Sequence, residues 1–181
     1  MSSVKKATIT ALCIALCAVL PLAFHALGLG SAFSPMHIPV LLCGLVCGPV
    51  YGAFCGLAGP VISCLTTSMP SAVQLIYFLP ELAAYGLLSG LLYRLIHTNR
   101  GLLDLYLALV PAMVLGRVIG GAAQALFYLA SAREWSVGVW AGAYFARSLP
   151  GIVLHLIAVP ALVTVLERAR LIPRREWRKE A

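Results

Sequence analysis

From Ala7 to Pro80 the chain carries no Asp, Glu, Lys or Arg, and the next charge, Glu81, lies inside a further apolar stretch. About 20 apolar residues cross the hydrocarbon core of a bilayer as a helix, so this run holds several crossings. Four spans are read directly, at 6–28, 72–96, 102–130 and 142–167. The remaining apolar segment, 36–67, is broken by Gly48 and Pro49. It reads either as one long crossing or as a hairpin of two short helices, 36–47 and 49–67.

Charge decides between these readings. Basic residues cluster at Lys5 and Lys6, at Arg94 and Arg100, and at Arg168, Arg170, Arg174, Arg175, Arg178 and Lys179. Such clusters mark the cytoplasmic ends of spans, and all three share one side only if the crossings between them are even in number. The hairpin meets that condition. The predicted fold is therefore an all-α membrane protein of six transmembrane helices with both termini cytoplasmic, one integral membrane domain over 1–181 that ends in a basic tail, 168–181. Arg133 then falls in an outer loop, while Arg117 and Arg147 fall within spans.

Composition narrows the function. With 61% hydrophobic residues, 10% charged and a mean hydropathy of +0.96, little chain remains outside the spans for a soluble catalytic domain. The net charge of +7 sits at span ends, where it sets topology rather than binding nucleic acid. Lys5, Lys6 and the following apolar run also have the pattern of a secretory leader; cleavage there would still leave a multi-span protein, and the segment is read as the first span.

Cysteines 13, 17, 43, 47, 55 and 64 all lie in apolar runs and read as small hydrophobes rather than metal ligands. Asp104 and Glu167, at cytoplasmic span ends, are expected to be solvated or paired with nearby arginines. Gly44, Gly48, Gly52 and Gly56 recur every four residues, which lets backbones approach closely around the hairpin. Ala7, Ala11 and Ala15 form a second small-residue stripe on the first span. It serves either packing within the chain or docking to another subunit.

The polar residues of the last three spans are periodic too. Gln74, Tyr77, Glu81 and Tyr85 share one helical face, as do Arg117, Gly121, Gln124 and Tyr128, and Trp140, Tyr144, Arg147, Gly151 and His155. By depth, Glu81, Arg117 and His155 fall in one layer near mid-membrane. Gln74, Tyr77, Gln124, Tyr128, Tyr144 and Arg147 fall in a second layer nearer the outer surface, beneath the loops around 29–37, 67–71 and 131–141. That is the layout of a pocket opening outward, with His37 placed to cap it. Glu81 and Arg117, at matched depth, are expected to face each other; their pairing is either purely structural or part of a binding site. Arg147 reads as a carboxylate contact or as a side chain reaching the interface.

The stretch from His37 to Gly52 (HIPVLLCGLVCGPVYG), with Gly59-Pro60, Ser68-Met69-Pro70, Glu81 to Tyr93 (ELAAYGLLSGLLY) and Gly116-Arg117, resembles the substrate-binding S component of energy-coupling factor (ECF) vitamin transporters. Within that family it is most similar to the pantothenate-type branch. The resemblance implies six helices, an outward pocket gated by the first and third loops, and residence in the bacterial plasma membrane. It also implies that Ala7, Ala11 and Ala15 dock onto a transmembrane coupling subunit that works with two cytoplasmic ATPases. The sequence fits that division of labour, since it contains no Gly-x-x-x-x-Gly-Lys-Ser/Thr phosphate loop.

No cofactor or metal is expected. The pocket's tally, Arg117 and Arg147 against Glu81, suits a small monocarboxylate such as pantothenate, with Arg147 the first carboxylate contact and Arg117 the second. The alternative substrate is a nucleobase-like compound such as a queuosine precursor, stacked on Trp140 or the tyrosines with Glu81 accepting its donors. From other classes, an intramembrane enzyme would need a nucleophile with a base or a metal set, and a channel would need symmetric oligomers.

Overall fold

Helices follow the apolar runs. In the computed structural model, which describes residues 1–26, 28, 33–98, 100–132 and 134–172 and all but two of their side chains (those of Ala143 and Arg147), the elements run α1 (Ser3–Ala26), α2 (His37–Cys47), α3 (Pro49–Thr67), α4 (Ala72–Leu95), α5 (Gly101–Ala130) and α6 (Val137–Ala141). A π-helical turn, Gly142–Arg147, then leads into α7 (Leu149–Arg168). No strand occurs among the described residues. Arg133 and the basic tail from 173 onward lie outside them.

Local chemistry sets several boundaries. Gly48 has φ +102°, a conformation that L side chains rarely adopt, and Pro49 follows at the start of α3, where its missing N–H goes unneeded. The chain reverses there: a Cβ on Gly52 would lie only 2.6 Å from the Gly44 Cα, and Cys43 Sγ reaches the Tyr51 carbonyl at 3.5 Å, contacts that a continuous helix excludes. Ser71 opens α4 with a reciprocal cap, in which Gln74 N–H donates to Ser71 Oγ and Ser71 N–H donates to Gln74 Oε1.

The glycine stripe brings three helices into backbone contact. A methyl at Gly52 or Gly44 would overlap the Gly86 carbonyl on α4, and one at Gly56 would overlap that of Leu82. Lys6 and Arg94 gather at the turn: the Lys6 ammonium lies 5.8 Å from the Tyr51 ring centre, and the Arg94 guanidinium packs over Gly48. One end of the bundle is therefore basic. Ser34, His37, Met69 and Gln74 lie at the other.

Five helices, α1, α3, α4, α5 and α7, are long and apolar enough to cross a membrane. The 11 residues of α2 rise about 16 Å at 1.5 Å per residue, roughly half of a hydrocarbon core. Ten of them are buried among the other helices, so α2 presents little backbone to lipid. The outer faces of the bundle expose large apolar side chains such as Leu12, Val50, Leu65, Leu126 and Ile157, the surface a lipid-embedded protein requires. The core beneath them is built on Val40, Leu41, Leu82, Tyr85, Leu109 and Val159.

Two expectations change. The span read as continuous from 142 to 167 is interrupted, because the π turn ends at Ser148 and Pro150 starts a new helix. For Asp104, expected to be solvated or paired, burial removes the first of the two readings. Asp104 accepts from both the N–H (2.9 Å) and the hydroxyl (2.5 Å) of Thr98, which fastens the connection between α4 and α5. The thiols of Cys13, Cys17, Cys43, Cys47 and Cys55 are buried among α1, α2 and α3, and two of them donate to backbone carbonyls of α1 and the first loop, Cys47 Sγ to Lys6 and Cys17 Sγ to Met36.

Candidate functional site

The polar stripes of α4 and α5 meet at the end opposite the basic turn. Between them lies a cavity of about 250 Å³, lined by Ser34, His37, Gln74, Tyr77, Phe78, Glu81, Arg117, Gln124, Tyr144 and Ser148. Seven residues predicted for the site thus share one cavity: His37, Gln74, Tyr77, Glu81, Arg117, Gln124 and Tyr144. Tyr128 does not line the cavity; its ring packs on Phe127, whose ring lies 6.5 Å from that of Tyr77. His155 lies behind His37 with ring centres 5.6 Å apart. The Arg147 side chain is outside the described residues.

Glu81 and Arg117 do not form the expected pair. Gly120 lets α4 approach so closely that the Glu81 side chain lies flat on α5; a Cβ at Gly120 would stand 2.6 Å from Glu81 Oε2. The other oxygen, Oε1, meets His37 Nε2 at 3.5 Å. Arg117 turns elsewhere, donating from Nε to the Tyr85 hydroxyl (3.1 Å) and from Nη1 to Ser148 Oγ (2.6 Å), with its Cζ 5.6 Å from the Phe145 ring centre. Ser148 in turn donates to the Tyr144 carbonyl.

Proton accounting begins at His37. A carbonyl only accepts, so the 3.0 Å contact from His37 Nδ1 to the Ser34 carbonyl requires a proton on Nδ1. His37 Nε2 then faces Glu81 Oε1, and the two form an ion pair when the imidazole is protonated. His155 Nε2 donates to the same Ser34 carbonyl at 3.2 Å, so two buried histidines hold one backbone oxygen at the end of the first loop. Arg117 is 4% exposed, and among the described residues no carboxylate lies within ion-pairing distance of it. Arg117 is thus a cation of the cavity with no carboxylate beside it among the described residues.

Unpaired polar atoms mark where a ligand would fit. Among the described residues, Glu81 Oε2 and Tyr144 Oη are buried without a hydrogen-bond partner. Gln74 is different, since its amide oxygen is already taken by Ser71 in the helix cap. Trp140 packs against Gly121 and does not line the cavity, so the stacking platform expected there is displaced.

Sequence reasoning missed Ser34, Phe78 and Ser148. A π turn carries more residues per turn than an α-helix, so a 3.6-residue count carried through Gly142–Arg147 loses register, and Ser148 becomes the residue that meets Arg117. Ser34 acts through its carbonyl, which leaves no trace in side-chain pattern.

A double-mutant cycle tests the pairing. Glu81→Gln with His37→Asn should show coupling above about 0.5 kcal/mol in thermal stability, and more than Glu81→Gln with Arg117→Met. The opposite ranking would return Glu81 to Arg117.

A family model described as "ECF transporter, substrate-specific component" matches residues 5–165. No curated protein and no solved structure matches the chain.

Proposed function

Because the chain belongs to the family of ECF transporter substrate-specific components, we propose that it is the substrate-binding subunit of a vitamin uptake transporter and that its substrate is a small anionic vitamin such as pantothenate. The family is one of transporter subunits, not enzymes. The observation that carries the anionic reading is Arg117, a buried guanidinium lining the cavity with no carboxylate in ion-pairing distance among the described residues, while Glu81 is engaged by His37. An incoming carboxylate supplies the missing negative charge, and a planar guanidinium can hold it through parallel hydrogen bonds. Hydroxyl or amide groups on the same ligand would satisfy Glu81 Oε2 and Tyr144 Oη.

In this reading α2 and α3 supply the second and third of six crossings. The basic end, with Lys6 and Arg94, faces the bacterial cytoplasm together with both termini, and the cavity faces outward. The ligand is held at that outer end, and Ala7, Ala11 and Ala15 dock onto a transmembrane coupling subunit powered by two ATPases. The nucleobase-like alternative loses Trp140 as a stacking platform but keeps Tyr77, Tyr144 and Glu81 in the cavity.

A thermal-shift screen of the purified protein against a vitamin panel tests the substrate. A ligand at a hundredfold excess over its Kd adds about 2.7 kcal/mol of stability, enough to raise the melting temperature by several degrees. Pantothenate should give this shift, and its analogue with the carboxylate reduced to an alcohol should not. Equal shifts from acid and alcohol would defeat the anionic reading.

A further inference from the structure

A second cavity, of about 270 Å³, adjoins the first and shares four of its lining residues, Ser34, His37, Gln74 and Phe78. Its remaining walls are of another character. Pro21, Pro35, Met36, Met69, Pro70 and Leu82 line it, no Asp, Glu, Lys or Arg does so, and the exposed His25 stands among them. The first chamber holds Arg117, Glu81 Oε2 and Tyr144 Oη, groups that ask for an anion and for hydrogen-bonding partners. Apart from His25 and the polar residues of the shared wall, the second offers apolar volume. Thioether side chains such as Met36 and Met69 adapt to irregular apolar shapes, and a phenyl ring at the shared wall offers a face to both chambers.

We propose that the substrate is bipartite. A carboxylate-bearing head with a hydroxyl or N–H donor occupies the Arg117–Glu81 chamber, and an apolar tail of several carbons crosses the Ser34–Phe78 wall into the Met36–Met69 chamber beside α1. This deepens the anionic reading given above and rests on it. It also assigns the two chambers separate parts in selectivity: the polar one recognises the acid, and the apolar one grades ligands by tail length.

The test is a homologous series in which the head stays constant, namely N-acetyl-, N-butyryl- and N-hexanoyl-β-alanine, titrated calorimetrically into the purified protein. Affinity should rise about fourfold for each methylene that leaves water for the apolar chamber. Met69→Trp, which fills that chamber, should flatten the series, lowering affinity for the hexanoyl compound far more than for N-acetyl-β-alanine. Met69→Ala, which enlarges it, should move the gain toward the longest tail and keeps the test valid if the tryptophan variant folds poorly. If all three compounds bind the parent protein equally, the apolar chamber takes no tail and this proposal falls while the anionic reading stands. If none binds and the alcohol counterparts do, the anionic reading falls with it.

Discussion

Arg117→Met should weaken binding of an anionic substrate about a hundredfold or more without unfolding the protein. Each hydrogen bond to a charged partner contributes about 1.5–3 kcal/mol, and a guanidinium that grips a carboxylate through two of them supplies more than two orders of magnitude in affinity. Folding should respond differently. The charge of Arg117 has no carboxylate beside it among the described residues and is 4% exposed, so an apolar side chain of similar length removes an uncompensated buried charge. Methionine also leaves the buried Tyr85 hydroxyl without its Arg117 partner, which offsets that gain, so the empty protein should melt close to the parent even as the ligand loses its hold. Arg117→Lys should fall between the two. It keeps the charge, but one ammonium cannot reproduce the fork that reaches Tyr85 through Nε and Ser148 through Nη1. Calorimetric titration with pantothenate reads the loss, and unchanged affinity in Arg117→Met would remove Arg117 from the site.

How far the site could be read from sequence follows from how straight each helix is. On α4 and α5 the count of 3.6 residues per turn brings Tyr77 and Glu81 to the same cavity as Arg117 and Gln124, because no break in either helix disturbs it. Past residue 141 the π turn intervenes, and the predicted stripe loses its register. Matched depth brought Glu81 and Arg117 into one cavity but not into a pair. Their actual partners depend on Gly120, which lays Glu81 against α5, and on His37, which lies 44 positions away in sequence and reaches Glu81 only because the hairpin folds α2 into the centre of the bundle. The hairpin itself was legible as a Gly48-Pro49 break together with the parity of basic clusters. The role of the Ser34 carbonyl was not, since a backbone oxygen is common to every residue.

Ala11→Trp should abolish uptake in cells while leaving substrate binding by the purified subunit intact. On α1 the buried residues are Thr10, Cys13, Cys17 and Pro21, which face α2 and α3, whereas Ala7, Ala11 and Ala15 remain exposed. That face carries methyl groups beside the larger Leu12 and Val19, so a second helix can approach its backbone closely there. An indole facing only lipid would be tolerated, because it displaces acyl chains and breaks no contact within the subunit. An indole between two helices would hold them apart and forfeit the packing on which association in a membrane depends. Leu57→Trp, on the exposed face of α3, serves as the control for a bulky substitution facing lipid. Three measurements then separate the roles: calorimetric affinity for the ligand, co-purification with the coupling subunit, and accumulation of labelled substrate by cells. Ala11→Trp should lose the second and third and keep the first, while Leu57→Trp keeps all three. Full uptake by Ala11→Trp would show that the stripe faces lipid and that another surface of the subunit meets its partner.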